Sequence, residues 1–125
     1  MNILLVEPDK ILGEVIKSAL ESFGYKVSWS RSAQSALDAL DESLPDLVIL
    51  ELQLGVHNGI EFLYEMNSYQ EWQGIPIIVH TINAKAQDQI FGVSLETLGV
   101  QAVLYKPRTT TKQLVSMVKQ FTPVL

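Results

Sequence analysis

Residues 45–54 read PDLVILELQL. Pro45 ends any helix before it. The run Leu47-Val48-Ile49-Leu50 is apolar at every position and only four residues long. Such a run is a strand covered on both faces, as in a parallel sheet sandwiched between helices. It stops at Glu51, which leaves a carboxylate at the carboxyl end of the strand. Working back toward the N-terminus, Ala33, Ala36, Leu37 and Leu40 recur at helical spacing behind Ser32, a good helix cap. Val27 and Trp29 alternate with Ser28 and Ser30, the pattern of an edge strand. Gly24 is a helix stop, preceded by the helical series Ile11, Leu12, Val15, Ile16, Ala19, Leu20 and Phe23 from Asp9 onward. The chain opens on a second apolar strand, Ile3 to Val6, ending at Glu7.

Toward the C-terminus the same alternation continues. Gly59 to Met66 carries Ile60, Phe62, Leu63 and Met66 as a third helix. Pro76 opens the strand Ile77-Ile78-Val79. A weaker fourth helix falls within Ala84 to Leu98, where Gly92 costs about 1 kcal/mol relative to Ala. Ala102 to Tyr105 is a fifth strand, and Thr110 or Thr111 caps a last helix through Leu114, Val115, Val118 and Phe121. Five βα units without repeat or linker make residues 1–125 one α/β domain: a doubly wound, five-stranded parallel sheet with five helices. In the strand order 2-1-3-4-5 the switch point lies between strands one and three, and function gathers at the carboxyl ends of the strands. The residues there are Glu7 and Asp9, Glu51, Thr81 and Lys106.

Bulk properties exclude other classes. Apolar residues make up 47% of the chain and charged residues 18%, which suits a packed core and not a disordered chain. The net charge of −5 argues against direct nucleic-acid binding. With no cysteine there is no disulfide, thiolate metal site or cysteine nucleophile. No apolar run reaches the ~18 residues of a membrane span, and the first residues lack the basic start of a signal peptide. A cytoplasmic location is expected. The first βα turn, Glu7-Pro8-Asp9-Lys10, has no glycine-rich phosphate loop, so a nucleotide enzyme or a flavodoxin proper ranks low.

Four blocks stand at the strand ends: ILLVEPD (3–9), PDLVILELQLGVHNG (45–59), IPIIVHT (75–81) and AVLYKP (102–107). In order and spacing they resemble the signature blocks of the receiver domains of bacterial response regulators, over essentially the whole chain. The resemblance implies a flavodoxin-like fold and a place in two-component, phosphorelay signalling, with no enzymatic turnover. It implies an acidic pair after strand one for magnesium, at Glu7 and Pro8. The phospho-acceptor position falls on Glu51, the phosphate-sensing hydroxyl on Thr81, and the lysine followed by a cis-proline on Lys106-Pro107. Gln53 falls where a backbone carbonyl ligates the metal, and Asn58-Gly59 matches the turn into the third helix. The implied partners are proteins: a histidine kinase, an output domain or another signalling protein. The face of helix four, strand five and helix five would be the contact surface, and also the surface for a homodimer.

The departures from that pattern direct the functional reading. Glu51 replaces the usual Asp and is longer by about one C–C bond, roughly 1.5 Å. Phosphoryl transfer depends on placement, and an error of about 1 Å costs on the order of 100-fold. Pro8 removes the second acidic ligand, and Asp9, one residue on, points elsewhere in an ordinary turn. Glu7, Glu51 and Gln53 are then a poor octahedral set, so no cofactor is expected and magnesium binds weakly if at all. The segment from Thr81 to Lys106 is also a few residues longer than usual. The expectation is a degenerate receiver acting through phosphorylation-independent contacts, with Glu51 as a fixed charge paired to Lys106. The alternative is a working receiver with unusual acceptor chemistry.

Individually these residues have plainer readings. Glu7 and Asp9 would cap the first helix, Thr81 would be a strand-end hydroxyl and Lys106 an ion-pair partner. His80 reads as a satisfied, partly buried histidine and His57 as a solvated one. Trp72 either anchors a partner from an exposed position or covers the bottom of the sheet.

Overall fold

The computed structural model describes residues 1–55, 57–87 and 95–121. Strands β1 (Asn2–Val6), β2 (Lys26–Ser30), β3 (Leu47–Leu50), β4 (Ile77–Thr81) and β5 (Val100–Tyr105) form one sheet. All neighbours pair in parallel, in the order β2-β1-β3-β4-β5. This is the doubly wound topology expected from the apolar runs. Helices α1 (Lys10–Ser22), α2 (Ala33–Glu42) and α3 (Gly59–Ser68) and a last helix (Thr111–Gln120) cover its two faces. Much of the fourth predicted helix, Gly92 included, lies outside the described residues. What is described there is a 3-10 turn, Ala84–Gln87, and helical residues 95–97.

The continuous apolar strands are explained by two cores. Leu4, Val6, Val48, Leu50 and Val79 face one way, against α2, α3 and Leu95. Ile3, Leu5, Leu47, Ile49 and Ile78 face the other, against α1 and the last helix. Strand alternation thus sends successive residues into different cores. Trp72 is 6% exposed and belongs to the first core, with Tyr69 against its ring at 4.5 Å between centroids. It covers the sheet; it is not an exposed anchor.

Local chemistry sets the helix ends, at Asp9, Ser32 and Thr110 as anticipated. Asp9, Ser32, Asn58 and Thr110 each cap a helix through a side-chain oxygen, and Thr110 forms a reciprocal capping box with Gln113. Gly24, at φ +90°, terminates α1. After β3 the chain makes a two-residue antiparallel pair, Gln53–Leu54 with His57–Asn58. This brings Gly59 onto the Leu52 backbone, where a Cβ would sit 2.6 Å from Leu52 Cα. Only glycine permits that approach. Among the described residues no helix is long and apolar enough to cross a membrane.

Candidate functional site

The carboxyl ends of β1, β3, β4 and β5 bring Glu7, Glu51, Thr81 and Lys106 together. The ladder places the first two side by side, since the Glu51 N–H donates to the Val6 carbonyl at 3.0 Å. Both glutamates are at most 2% exposed, and Thr81 is fully buried. The Glu51–Lys106 ion pair expected from the strand ends is present: Nζ lies 2.7 Å from Glu51 Oε1. The same ammonium lies 2.7 Å from Glu7 Oε1. That second contact was not anticipated from the sequence, where Glu7 read as a helix cap or a metal ligand.

Glu51 is held on every side. Oε1 accepts from Lys106 and from the Ile82 N–H at 3.0 Å, and Oε2 accepts from the Gln53 N–H at 3.1 Å. The Thr81 hydroxyl adds a further hydrogen bond. Burial alone would push the Glu51 carboxyl up, but Lys106, Thr81, Gln53 and Ile82 together hold it below the ordinary 4.5. Glu7 goes the other way. Burial, reinforced by the Glu51 charge, raises it despite the bonds from Lys106 and the Asp9 amide. One ammonium thus serves two carboxylates, and the better-bonded Glu51 keeps its charge more firmly.

The β1–α1 turn is occupied differently from the family pattern. Asp9 is engaged as a helix cap, its Oδ1 accepting the Leu12 N–H at 2.8 Å, while the residue still lines the cleft above the site. Pro8 contributes a carbonyl, which the Arg31 guanidinium grips through Nε and Nη2 at 3.1 and 3.0 Å. Trp29 Nε1 donates to the Glu7 carbonyl at 2.9 Å. Its ring lies over Gly13, where a Cβ would come within 2.1 Å of Cζ2. Neither Trp29 nor Arg31 was singled out in the sequence. A glycine inside an otherwise apolar, periodic helix, opposite a tryptophan on the edge strand, was the one available signal. Pro107 stands in a 3-10 turn, Lys106–Arg108. Among the described residues no peptide bond is cis, so the cis-proline implied by the resemblance is not found at Lys106-Pro107.

His80, one residue before Thr81, corrects another reading. It is 4% exposed, and its Nδ1 has no hydrogen-bond partner. Burial, with the Lys106 charge nearby, lowers its pKa to about 4, so the ring is neutral at neutral pH. The His57 side chain lies outside what is described. Above Glu7, Glu51 and Lys106 is an open cleft whose rim includes Pro8, Leu12, Ile82 and Pro107.

A buried carboxylate–lysine–threonine cluster at the strand ends of a 2-1-3-4-5 sheet defines a receiver-type site. Residues 3–119 match the response regulator receiver domain family, and the chain belongs to that family. Among similar proteins are two from Escherichia coli strain K12. The phosphate regulon transcriptional regulatory protein PhoB is 30% identical over 118 residues, 94% of this chain and 50% of that protein. The transcriptional regulatory protein CpxR is 32% identical over 106 residues, 85% of this chain and 43% of that protein. The chain therefore spans about half the length of these relatives or less. The chemotaxis response regulator CheY4 of Vibrio cholerae shares the fold, with a TM-score of 0.84 at 19% identity, covering 97% of this chain and 98% of that one. The chain is a signal-transduction receiver domain of the two-component type.

Proposed function

We propose that this receiver signals through protein contacts without phosphoryl transfer. The observation that carries the reading is the engagement of both Glu51 oxygens, Oε1 by Lys106 and Ile82 and Oε2 by Gln53, with Thr81 adding to the hold. A nucleophile needs a free oxygen aimed at phosphorus, and here both oxygens are bound. The carboxylate instead acts as a permanent charge that organises the loop after β4. Its influence runs outward through short steps. Thr81 Oγ1 also accepts the Asn83 N–H at 3.0 Å, and Asn83 Oδ1 accepts the Lys85 N–H at 3.0 Å. In this reading the start of the segment after β4, as far as Lys85, is under the control of the buried pair. The partner is a protein, a histidine kinase or an output domain, met on the face that includes β5 and the last helix. The domain works in the cytoplasm as a binding module without catalytic turnover.

The test is incubation with acetyl phosphate and magnesium, read by intact mass. No phosphoryl gain is expected for the wild type or for Glu51→Asp alone, and a partial gain for Glu51→Asp with Pro8→Asp. Stoichiometric phosphorylation of the wild type at Glu51 would refute the reading. It would establish the alternative of a working acceptor, which the joint presence of Thr81 and Lys106 at the strand ends keeps in play.

A further inference from the structure

The site already contains a cation. Lys106 Nζ bridges Glu7 Oε1 and Glu51 Oε1 at 2.7 Å each. The other carboxylate oxygens are committed too, Glu7 Oε2 to the Asp9 N–H at 3.0 Å and Glu51 Oε2 to the Gln53 N–H at 3.1 Å. Asp9 caps α1, and the Pro8 carbonyl is held by Arg31. Magnesium, implied by the family, demands near-octahedral oxygen ligation at roughly 2.0–2.1 Å. Among the described residues no three His, Cys, Asp or Glu side chains are grouped to hold an ion. The residues as arranged do not fit the metal.

We propose that the Lys106 ammonium is the resident cation of this site in place of a divalent ion, and that its removal converts Glu7 and Glu51 into a divalent-cation site. Both cations are hard and are satisfied by carboxylate oxygen. The lysine is tethered at the end of β5, so an ion from solution must displace an intramolecular partner of high local concentration. With the lysine gone, two buried carboxylates face each other without a counter-charge at the foot of an open cleft. What makes these two carboxylates a poor set in the wild type is the ammonium bonded to Oε1 of each; with both oxygens released, magnesium can take two carboxylates and complete its shell with water. The inference stands apart from how the domain signals, because it concerns occupancy of the site and not phosphorylation or partner binding.

The experiment titrates magnesium, with manganese as a paramagnetic probe, into the wild type and Lys106→Met. Trp29, whose indole rests on the Glu7 carbonyl, reports by fluorescence in a Trp72→Phe background, and free manganese is counted by electron paramagnetic resonance. The wild type is expected to show no saturable binding in the millimolar range. Lys106→Met is expected to bind at least about tenfold more tightly, and adding Glu7→Gln should abolish the gain. Equal affinity in wild type and variant, or no binding by a folded Lys106→Met, overturns the proposal. Should Lys106→Met fail to fold, the wild type decides alone. Its Lys106 ammonium nitrogen resonance is expected to stay fixed through millimolar magnesium, and a saturable shift overturns the proposal.

Discussion

At the residue scale, Glu7 and Glu51 share one lysine and are both pushed up by burial, but the additional donors on Glu51 reverse its net shift, and this makes their substitutions unequal. Glu51→Gln removes the carboxylate that its neighbours were built to bond. At neutral pH a loss of about 1–3 kcal/mol is expected. Glu7→Gln removes a charge that the site holds reluctantly, and its effect is expected within about 1 kcal/mol of zero. Urea unfolding of the two variants checks the asymmetry. Equal losses would mean that the lysine does not discriminate between them. The pH dependence has three parts. Glu51, lowered on folding, contributes stability above 4.5 that is lost as pH falls through its folded value. Glu7, raised on folding, costs stability as pH rises from 4.5 through its folded value, with no further change above that. His80 stays neutral in the fold down to about 4, whereas an ordinary histidine protonates at 6.5. The unfolded chain therefore takes up a proton that the fold refuses, and stability falls as pH drops through that window, by on the order of 3 kcal/mol. His80→Phe, which also removes the unpartnered Nδ1, is expected to flatten the urea midpoint between pH 6.5 and 4. An unchanged slope would show that another group sets the acid sensitivity.

At the element scale, α1 and β2 are joined by a contact that local propensity alone would oppose. Gly13 lies inside a helix, where alanine is favoured by about 1 kcal/mol. The Trp29 ring occupies the space a methyl group would need. Gly13→Ala is therefore expected to destabilise, by about 1–3 kcal/mol, through overpacking. The displaced indole would also release the Glu7 carbonyl, so a change in Trp29 emission should accompany the loss. A stabilised variant with unchanged emission would remove Trp29 as the clamp of the β1–α1 turn. Arg31 and Trp29 on the β2 side hold the two carbonyls of Glu7-Pro8, so the turn is fixed by hydrogen bonds from protein donors.

At the scale of the whole molecule, the buried pair is expected to control the start of the segment after β4, which it meets at the Ile82 amide. The Ile82 amide is bound to Glu51, and the Asn83 amide to Thr81. Loss of the Glu51 charge should speed hydrogen exchange at Ile82 and Asn83 while amides in β1 and β3 keep their protection. Uniform acceleration would instead mean that Glu51 supports only global stability. How much of this was legible in the sequence depends on the range of the interaction. The runs Ile3–Val6 and Leu47–Leu50, the caps at Asp9, Ser32 and Thr110, and the stop at Gly24 are local signals, and strand topology followed from them because buried parallel strands admit few connections. The gathering of Glu7, Glu51, Thr81 and Lys106 was readable for the same reason, since each ends a strand. Which carboxylate the lysine chose was not: it bonds both. The backbone donors of Gln53 and Ile82, the grip of Trp29 and Arg31 on the turn, the burial of Trp72 and the unpaired nitrogen of His80 were also out of reach. Those are set by distances between residues far apart in the chain, measured in tenths of an ångström. Hydrogen bonding and packing are decided at that length, and only tertiary structure supplies it.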